Sequence, residues 1–263
     1  AIAAAKAGGP ARIDVTGKYV VPGLWDMHAH YEQVEWGPIY LAAGVTTVRD
    51  VGNERAFVVG VRDANASGRG VGPRMLLAGV IDGTGPYALG IEQADTPARG
   101  VELVDRYHDA GFQQIKIYSS LKLPVLQAIT AEAHRLGMTV TGHIPEGITT
   151  EQGIEAGMDQ VNHIQYILPM MMPHSVDTSR TPDFQNPEAQ QAIAFLKAHH
   201  TVLDPTLDIF EWSMHPARVP FSEIEPGVLH VPPSLQPLLM NTGVSAAREG
   251  SARNATSPRP SAQ

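Results

Sequence analysis

Two histidines one residue apart close the short apolar run Val20-Val21-Pro22-Gly23-Leu24-Trp25-Asp26-Met27-His28-Ala29-His30. Along an extended strand successive side chains alternate faces, so His28 and His30 project to the same side and can grip one ion. Two further apolar runs each end on a single histidine, Thr139-Val140-Thr141-Gly142-His143 and Asp159-Gln160-Val161-Asn162-His163. Imidazoles gathered at the ends of strand-like runs point to a metal centre. The chain has no cysteine, which removes thiolate and disulfide and leaves His, Asp, Glu and modified Lys as ligands.

The elements that must position these residues are short β-branched runs alternating with longer helical patterns, the signature of strand-helix units around a parallel sheet. Strands are expected at 24–28, 46–50, 75–80, 114–118, 139–143, 160–163 and 201–205, and helices at 54–67, 96–110, 124–136, 149–156 and 187–199. Several helices open on Thr, Pro or Asn at the capping position, and Gly111, Gly137 and Gly157 suit helix ends that need a left-handed residue. The spacing fits an α/β fold of the (β/α)8 TIM-barrel type, which takes about 250 residues and carries its site at the C-terminal ends of the strands. A doubly wound open sheet is the competitor, but no glycine-rich phosphate loop follows any of these strands. An eighth strand is not visible, so an incomplete barrel with unpaired strand edges is expected.

With 263 residues and 43% hydrophobic content the chain can bury a sizeable core. Its formal charge of −8, from 27 acidic and 19 basic residues with no basic cluster, argues against a nucleic-acid partner. No apolar stretch approaches the roughly 18 residues that cross a bilayer. The alanine-rich start lacks the apolar middle of a signal peptide, so a soluble protein is expected, with cytoplasm and periplasm both open. The expected division is a remnant of a preceding segment at 1–18, a barrel domain at 19–241 and a disordered tail at 242–263. Long connections at 164–186 and 207–237 carry Met170, Met171, Met172, Tyr166, Phe210, Trp212 and Phe221, which either pack against the barrel rim or cover a substrate.

The chain resembles the metal-dependent amidohydrolase superfamily, in its imidazolonepropionase and Xaa-Pro dipeptidase (prolidase-like) branch. The residues that carry the resemblance are the run ending His28-Ala29-His30, Ala43-Gly44-Val45-Thr46-Thr47-Val48-Arg49-Asp50, Gln114-Ile115-Lys116-Ile117-Tyr118, Gly142-His143 and Asn162-His163. It implies His28 and His30 as ligands of the more buried metal and His143 and His163 as ligands of a second. It implies Lys116 as a carboxylated lysine bridging both ions. Alternation also turns Lys116 away from its apolar neighbours Ile115 and Ile117 and toward the interior, although an ordinary strand-end ammonium is the alternative. The ions would be divalent, with zinc the best match to nitrogen and oxygen ligands and manganese, iron and nickel open.

The activity implied is hydrolysis of a C–N amide bond in a dipeptide or N-acyl amino acid. The alternatives are a mononuclear deaminase or cyclic amide hydrolase with unmodified Lys116, and a catalytically impaired metal-binding fragment. Family members place an aspartate base at the end of strand eight; this sequence offers none, and its absence would remove a factor of about 10²–10⁴ from proton transfer. That departure, together with flanks too short for a β-sandwich, leads us to expect a truncated form broken near Gly243 to Gly250, with association of copies through the open sheet left as an option.

Other residues carry weaker expectations. Asp204 is read as structural, and Tyr31 and Tyr118 as either substrate contacts or packing. Arg49 and Asp50 are expected to pair at the barrel mouth. His108, His134, His199 and His200 are expected to be solvated or capping residues, and His174, His215 and His230 in the long loops are expected to be exposed, with a substrate contact as the alternative.

Overall fold

The computed structural model describes residues 13–86, 88–172, 183–216, 218–230, 233 and 236–240. The chain begins with β1 (Leu24–Ala29), α1 (Trp36–Ala42), β2 (Val45–Asp50), α2 (Arg55–Ala66) and β3 (Arg74–Ile81). It continues with α3 (Pro97–Asp109), β4 (Gln114–Ile117), α4 (Leu123–Arg135), β5 (Thr139–Gly142), α5 (Thr150–Glu155) and β6 (Gln160–Asn162). The last described elements are α6 (Leu168–Met171), α7 (Pro187–Ala198), β7 (Val202–Asp204), α8 (Leu207–Met214), α9 (Phe221–Ile224) and α10 (Gln236–Met240). The expected strands and helices fall within a residue or two of these bounds, whereas α1 and the short helices α6, α8, α9 and α10 were not anticipated.

Strands β1 to β5 form one curled parallel sheet in sequential order. Its β3 strand is an almost unbroken buried apolar run, as a strand covered on both faces requires. On the outer face Ile115, Ile117 and Val140 meet Leu103, Val104, Leu126 and Ile129 of α3 and α4 in one core. Side-chain caps start the helices: Thr96 accepts from Arg99 N, Asn186 from Ala189 N, and Thr149 forms a reciprocal capping box with Gln152. Gly111, Gly137 and Gly157 adopt the left-handed conformation at helix ends.

The seven strands do not form one sheet. β6 and β7 make a separate parallel pair. At the break, the Val140 N–H is taken by the Asp159 carboxylate at 2.7 Å, so a side chain stands where a ladder bond to β6 would. Asp159 N still donates to Val140 O at 2.9 Å, which keeps β6 beside β5.

The long connections are not structureless. The 164–186 segment holds a short 3-10 turn (Ile164–Tyr166) and α6, and Ile164, Tyr166, Met170 and Met171 pack against the core. The 207–237 segment holds α8 and α9. Residues 1–12 and 242–263, which contain most of the expected leading remnant and all of the expected tail, lie outside the described residues, as does His174. Among the described residues no helix is long and apolar enough to cross a membrane.

Candidate metal centre

The strands deliver polar side chains to the face opposite the outer helices. His28 lies within β1 and His30 just beyond it, and their ring centroids stand 5.5 Å apart on the same side, as strand alternation requires. His143 follows β5 directly through Gly142, whose φ of 145° and closeness to Ile117 suit only glycine: a Cβ there would meet Ile117 O at 2.3 Å. His163 follows β6 with φ 69°, an uncommon conformation for a side-chain-bearing residue. Its backbone N–H donates to Asp204 O at 2.7 Å.

The four rings form a chain. His28 lies 4.9 Å from His163 by centroid and His143 4.8 Å from His163, and Tyr118 stacks on the far side of His143 at 4.1 Å. Each ring is tethered through Nδ1 to an oxygen. His28 donates to Asp204 Oδ2 at 2.7 Å and His30 to Gly52 O at 3.1 Å. His143 Nδ1 meets Ser119 Oγ at 3.2 Å and His163 Nδ1 meets Thr206 Oγ1 at 2.7 Å. Acceptor-only partners fix the Nδ1–H tautomer of His28 and His30 and leave Nε2 as the ligand nitrogen. The Nε2 atoms of His143 and His163 face each other at 3.0 Å. At that distance one ring donates and the other accepts, the tautomer setting which, and a cation held by both nitrogens would take the place of that shared proton.

Burial favours the neutral form of each of these groups. Burial pushes His163 down to about 3, with Lys116 and His28 adding to the effect. Burial likewise holds His143 well below the ordinary imidazole value and His28 below it. Lys116 is 1% exposed, and burial lowers its amine to about 7. Its Nζ donates to Asn162 Oδ1 at 2.8 Å. The interior orientation expected from alternation is therefore observed.

Asp204 holds the site's far side. Its Oδ2 accepts from His28 Nδ1, from Arg49 Nη2 at 2.8 Å and from Asn162 Nδ2 at 2.7 Å. Arg49 also donates to Met27 O at 2.6 Å and to Gln160 Oε1. The expected Arg49–Asp50 pair does not form. Asp50 instead accepts from Tyr31 N and Asn53 Nδ2, because alternation sends adjacent side chains to opposite faces.

Other expectations change as well. His30 is exposed while His28, His143 and His163 are half-buried, so the His28 and His30 pair is not the deeper one. Tyr31 is fully buried and stacks on Tyr40 at 5.6 Å, which makes it a core residue. His215 is not exposed: it is 7% accessible, with Nδ1 donating to the Glu211 and Trp212 carbonyls of its own helix. His134 is half-exposed and bonds Asp159 Oδ2 at 2.9 Å. Among the described residues no group of three or more His, Asp or Glu side chains stands close enough together to hold one ion. The imidazoles stand in a row, not in a cage. Sequence reasoning missed Asn162, Ser119 and Thr206; the signal for Asn162 was its shared strand face with Gln160, either side of Val161.

No family model and no curated protein matches the sequence. Solved structures do. A bottromycin amidohydrolase aligns over 91% of this chain and 51% of its own, with TM-score 0.60 and 24% identity. A Xaa-Pro dipeptidase with methionine bound in its active site aligns over 94% of this chain and 68% of its own, with TM-score 0.56 and 18% identity. The chain shares the fold of the amidohydrolases and prolidases. An ochratoxinase of A. niger with this fold aligns over 72% of the chain and 53% of its own, with TM-score 0.54 and 18% identity. The chain thus spans little more than half the length of the ochratoxinase and the bottromycin amidohydrolase. Shared amidohydrolase fold fixes which strand ends face the mouth; chemistry rests on the residues there.

Proposed function

We propose that this chain belongs to the amidohydrolases of the prolidase-like branch and hydrolyses a C–N amide bond, in a dipeptide or N-acyl amino acid, with a pair of divalent metal ions. The observation that carries this reading is the tethering of four imidazoles through Nδ1, with the Nε2 atoms of His143 and His163 opposed at 3.0 Å. Neutral nitrogen donors oriented by oxygens in a second shell are the usual dress of a metal site. His28 and His30 would hold one ion, His143 and His163 the other, and Lys116, carboxylated by carbon dioxide, would bridge them. Zinc suits the donor set. When bound, the metals would polarise the amide carbonyl and lower the pKa of water.

The chain's own residues do the rest. Burial lowers the Lys116 amine to about 7, which brings its unprotonated form within reach near neutral pH, and Asp204 holds His28 in the tautomer that frees Nε2. A cavity of about 360 Å³ opens beside His30, lined by Asn53, Leu89, Ile91 and Tyr118 among others, large enough for a small substrate. Tyr118 both lines this cavity and packs its ring against His143.

Elemental analysis after metal loading tests the reading. About two ions per chain and hydrolysis of an amide panel that a chelator abolishes are expected of a binuclear site. About one ion, with Lys116 unmodified, would replace it by a mononuclear deaminase or cyclic amide hydrolase, and no bound metal would overturn the ligand assignment. A metal-binding chain without turnover is the second reading, favoured by the lack, among the described residues, of three His, Asp or Glu side chains close enough to enclose one ion.

A further inference from the structure

Asn162 is fully buried on β6, and both polar atoms of its amide are engaged. Nδ2 donates to Asp204 Oδ2 at 2.7 Å, while Oδ1 accepts from Lys116 Nζ at 2.8 Å and from Thr141 Oγ1 at 3.0 Å. A carboxylate can only accept, so Asp204 decides which end of the amide is nitrogen. Because the same Asp204 oxygen also receives His28 and Arg49, it is fixed in place, and Oδ1 is thereby held against Lys116.

An ammonium carries three N–H bonds, a free amine two and a carbamate nitrogen one. Among the described residues Asn162 Oδ1 is the single acceptor within hydrogen-bond distance of Nζ, in a side chain that is 1% exposed. A carbamate nitrogen carries one N–H, which one amide oxygen satisfies.

We propose that Asn162 is the positioning residue for the carboxylation of Lys116, its Oδ1 accepting the one N–H that remains on Nζ and so fixing the plane of the carbamate. This role presupposes the bridging carbamate proposed above. In the step itself the neutral amine attacks the carbon of carbon dioxide and an N–C bond forms. One C=O electron pair moves onto oxygen, and the nitrogen releases one proton to solvent. Asn162 touches no reacting carbon; it sets the direction of the surviving N–H.

The test is carbon NMR of the zinc-loaded protein equilibrated with isotope-labelled bicarbonate, with thermal melts to match folded fractions. The unaltered protein is expected to show a carbamate resonance. Asn162→Leu, which removes the acceptor, and Asn162→Asp, an isosteric change that holds the amine as an ammonium, are expected to lower its intensity by about tenfold or more, the scale of losing a supporting shell. Thr141→Val, which removes the other donor to Oδ1, is expected to keep it. A carbamate of undiminished intensity in Asn162→Leu and Asn162→Asp would overturn the role of Asn162 alone. Equal loss in Thr141→Val would reduce that role to general packing. No resonance in the unaltered, metal-bearing protein would overturn the bridging carbamate and the role of Asn162 together.

Discussion

Arg49 on β2 and Asp204 on β7 meet at 2.8 Å although their strands lie in different sheets and 155 residues apart in sequence. The same carboxylate oxygen takes His28 from β1 and Asn162 from β6. One side chain thus draws the last described strand toward the first, where elsewhere in the molecule backbone bonds join neighbours.

Removing that carboxylate leaves the Arg49 guanidinium, 4% exposed, without its counter-charge. Asp204→Ala is expected to destabilise the protein by about 3–5 kcal/mol in urea unfolding, the range for breaking one side of a buried ion pair. Asp204→Asn, which keeps shape and one acceptor, is expected to cost less. The reverse order would show that the pair does not hold β7 in place.

His143→Ala is expected to weaken metal binding in equilibrium dialysis by at least about tenfold. His134→Ala, on the surface beside Asp159, is expected to leave it unchanged. Equal losses would mean that the strand-end histidines do not form the site.

Gly142→Ala sets a Cβ 2.3 Å from Ile117 O at a φ of 145°. A loss of about 1–3 kcal/mol is expected from the strain. Because the next residue is His143, metal affinity should fall with it; an alanine variant of native stability would contradict the close approach.

The pH profile has a definite sign. Folded His163 has its pKa pushed to about 3, while the unfolded value is 6.5, so between these limits the folded chain binds fewer protons than the unfolded one. His143 and His28 are depressed in the same direction. Burial alone would raise the Asp204 carboxyl, but His28, Arg49 and Lys116 together hold it below the usual range, which adds to the effect. The part of the metal-free protein's stability that the histidines carry is therefore complete above about pH 6.5 and falls as the pH drops toward about 3, and Lys116, lowered from 10.5 to about 7, adds a further rise between those two values. A urea midpoint that is lower at about pH 4.5 than at about pH 7.5 is expected, and a flat profile would contradict neutral burial of the rings.

The strand ends were legible because each couples a local apolar pattern to a single histidine, and period-two alternation alone turned Lys116 inward between Ile115 and Ile117. The α1 helix was hidden because Glu35 makes no side-chain cap and Gly37 interrupts its first turn. That glycine is there for tertiary reasons, since a Cβ would meet the Tyr31 hydroxyl at 2.4 Å. The division of the strands between two sheets follows from where one side chain, Asp159, places its carboxylate, which no local pattern encodes. Asp204 could be read as structural, but its partners His28, Arg49 and Asn162 are far away in sequence and became visible only in the fold.

His163 occupies left-handed backbone, held there by Asp204 O on its amide and by the Thr206 hydroxyl on its ring. A conformation that a free chain rarely visits is thus maintained as a loaded spring by neighbours that would form without any guest. The ring is aimed at folding, so capture of an ion need not recruit it from a disordered ensemble, and the ordering entropy of that ligand falls outside the binding step. A change at Thr206 would accordingly slow or weaken capture while leaving every nitrogen of the site intact.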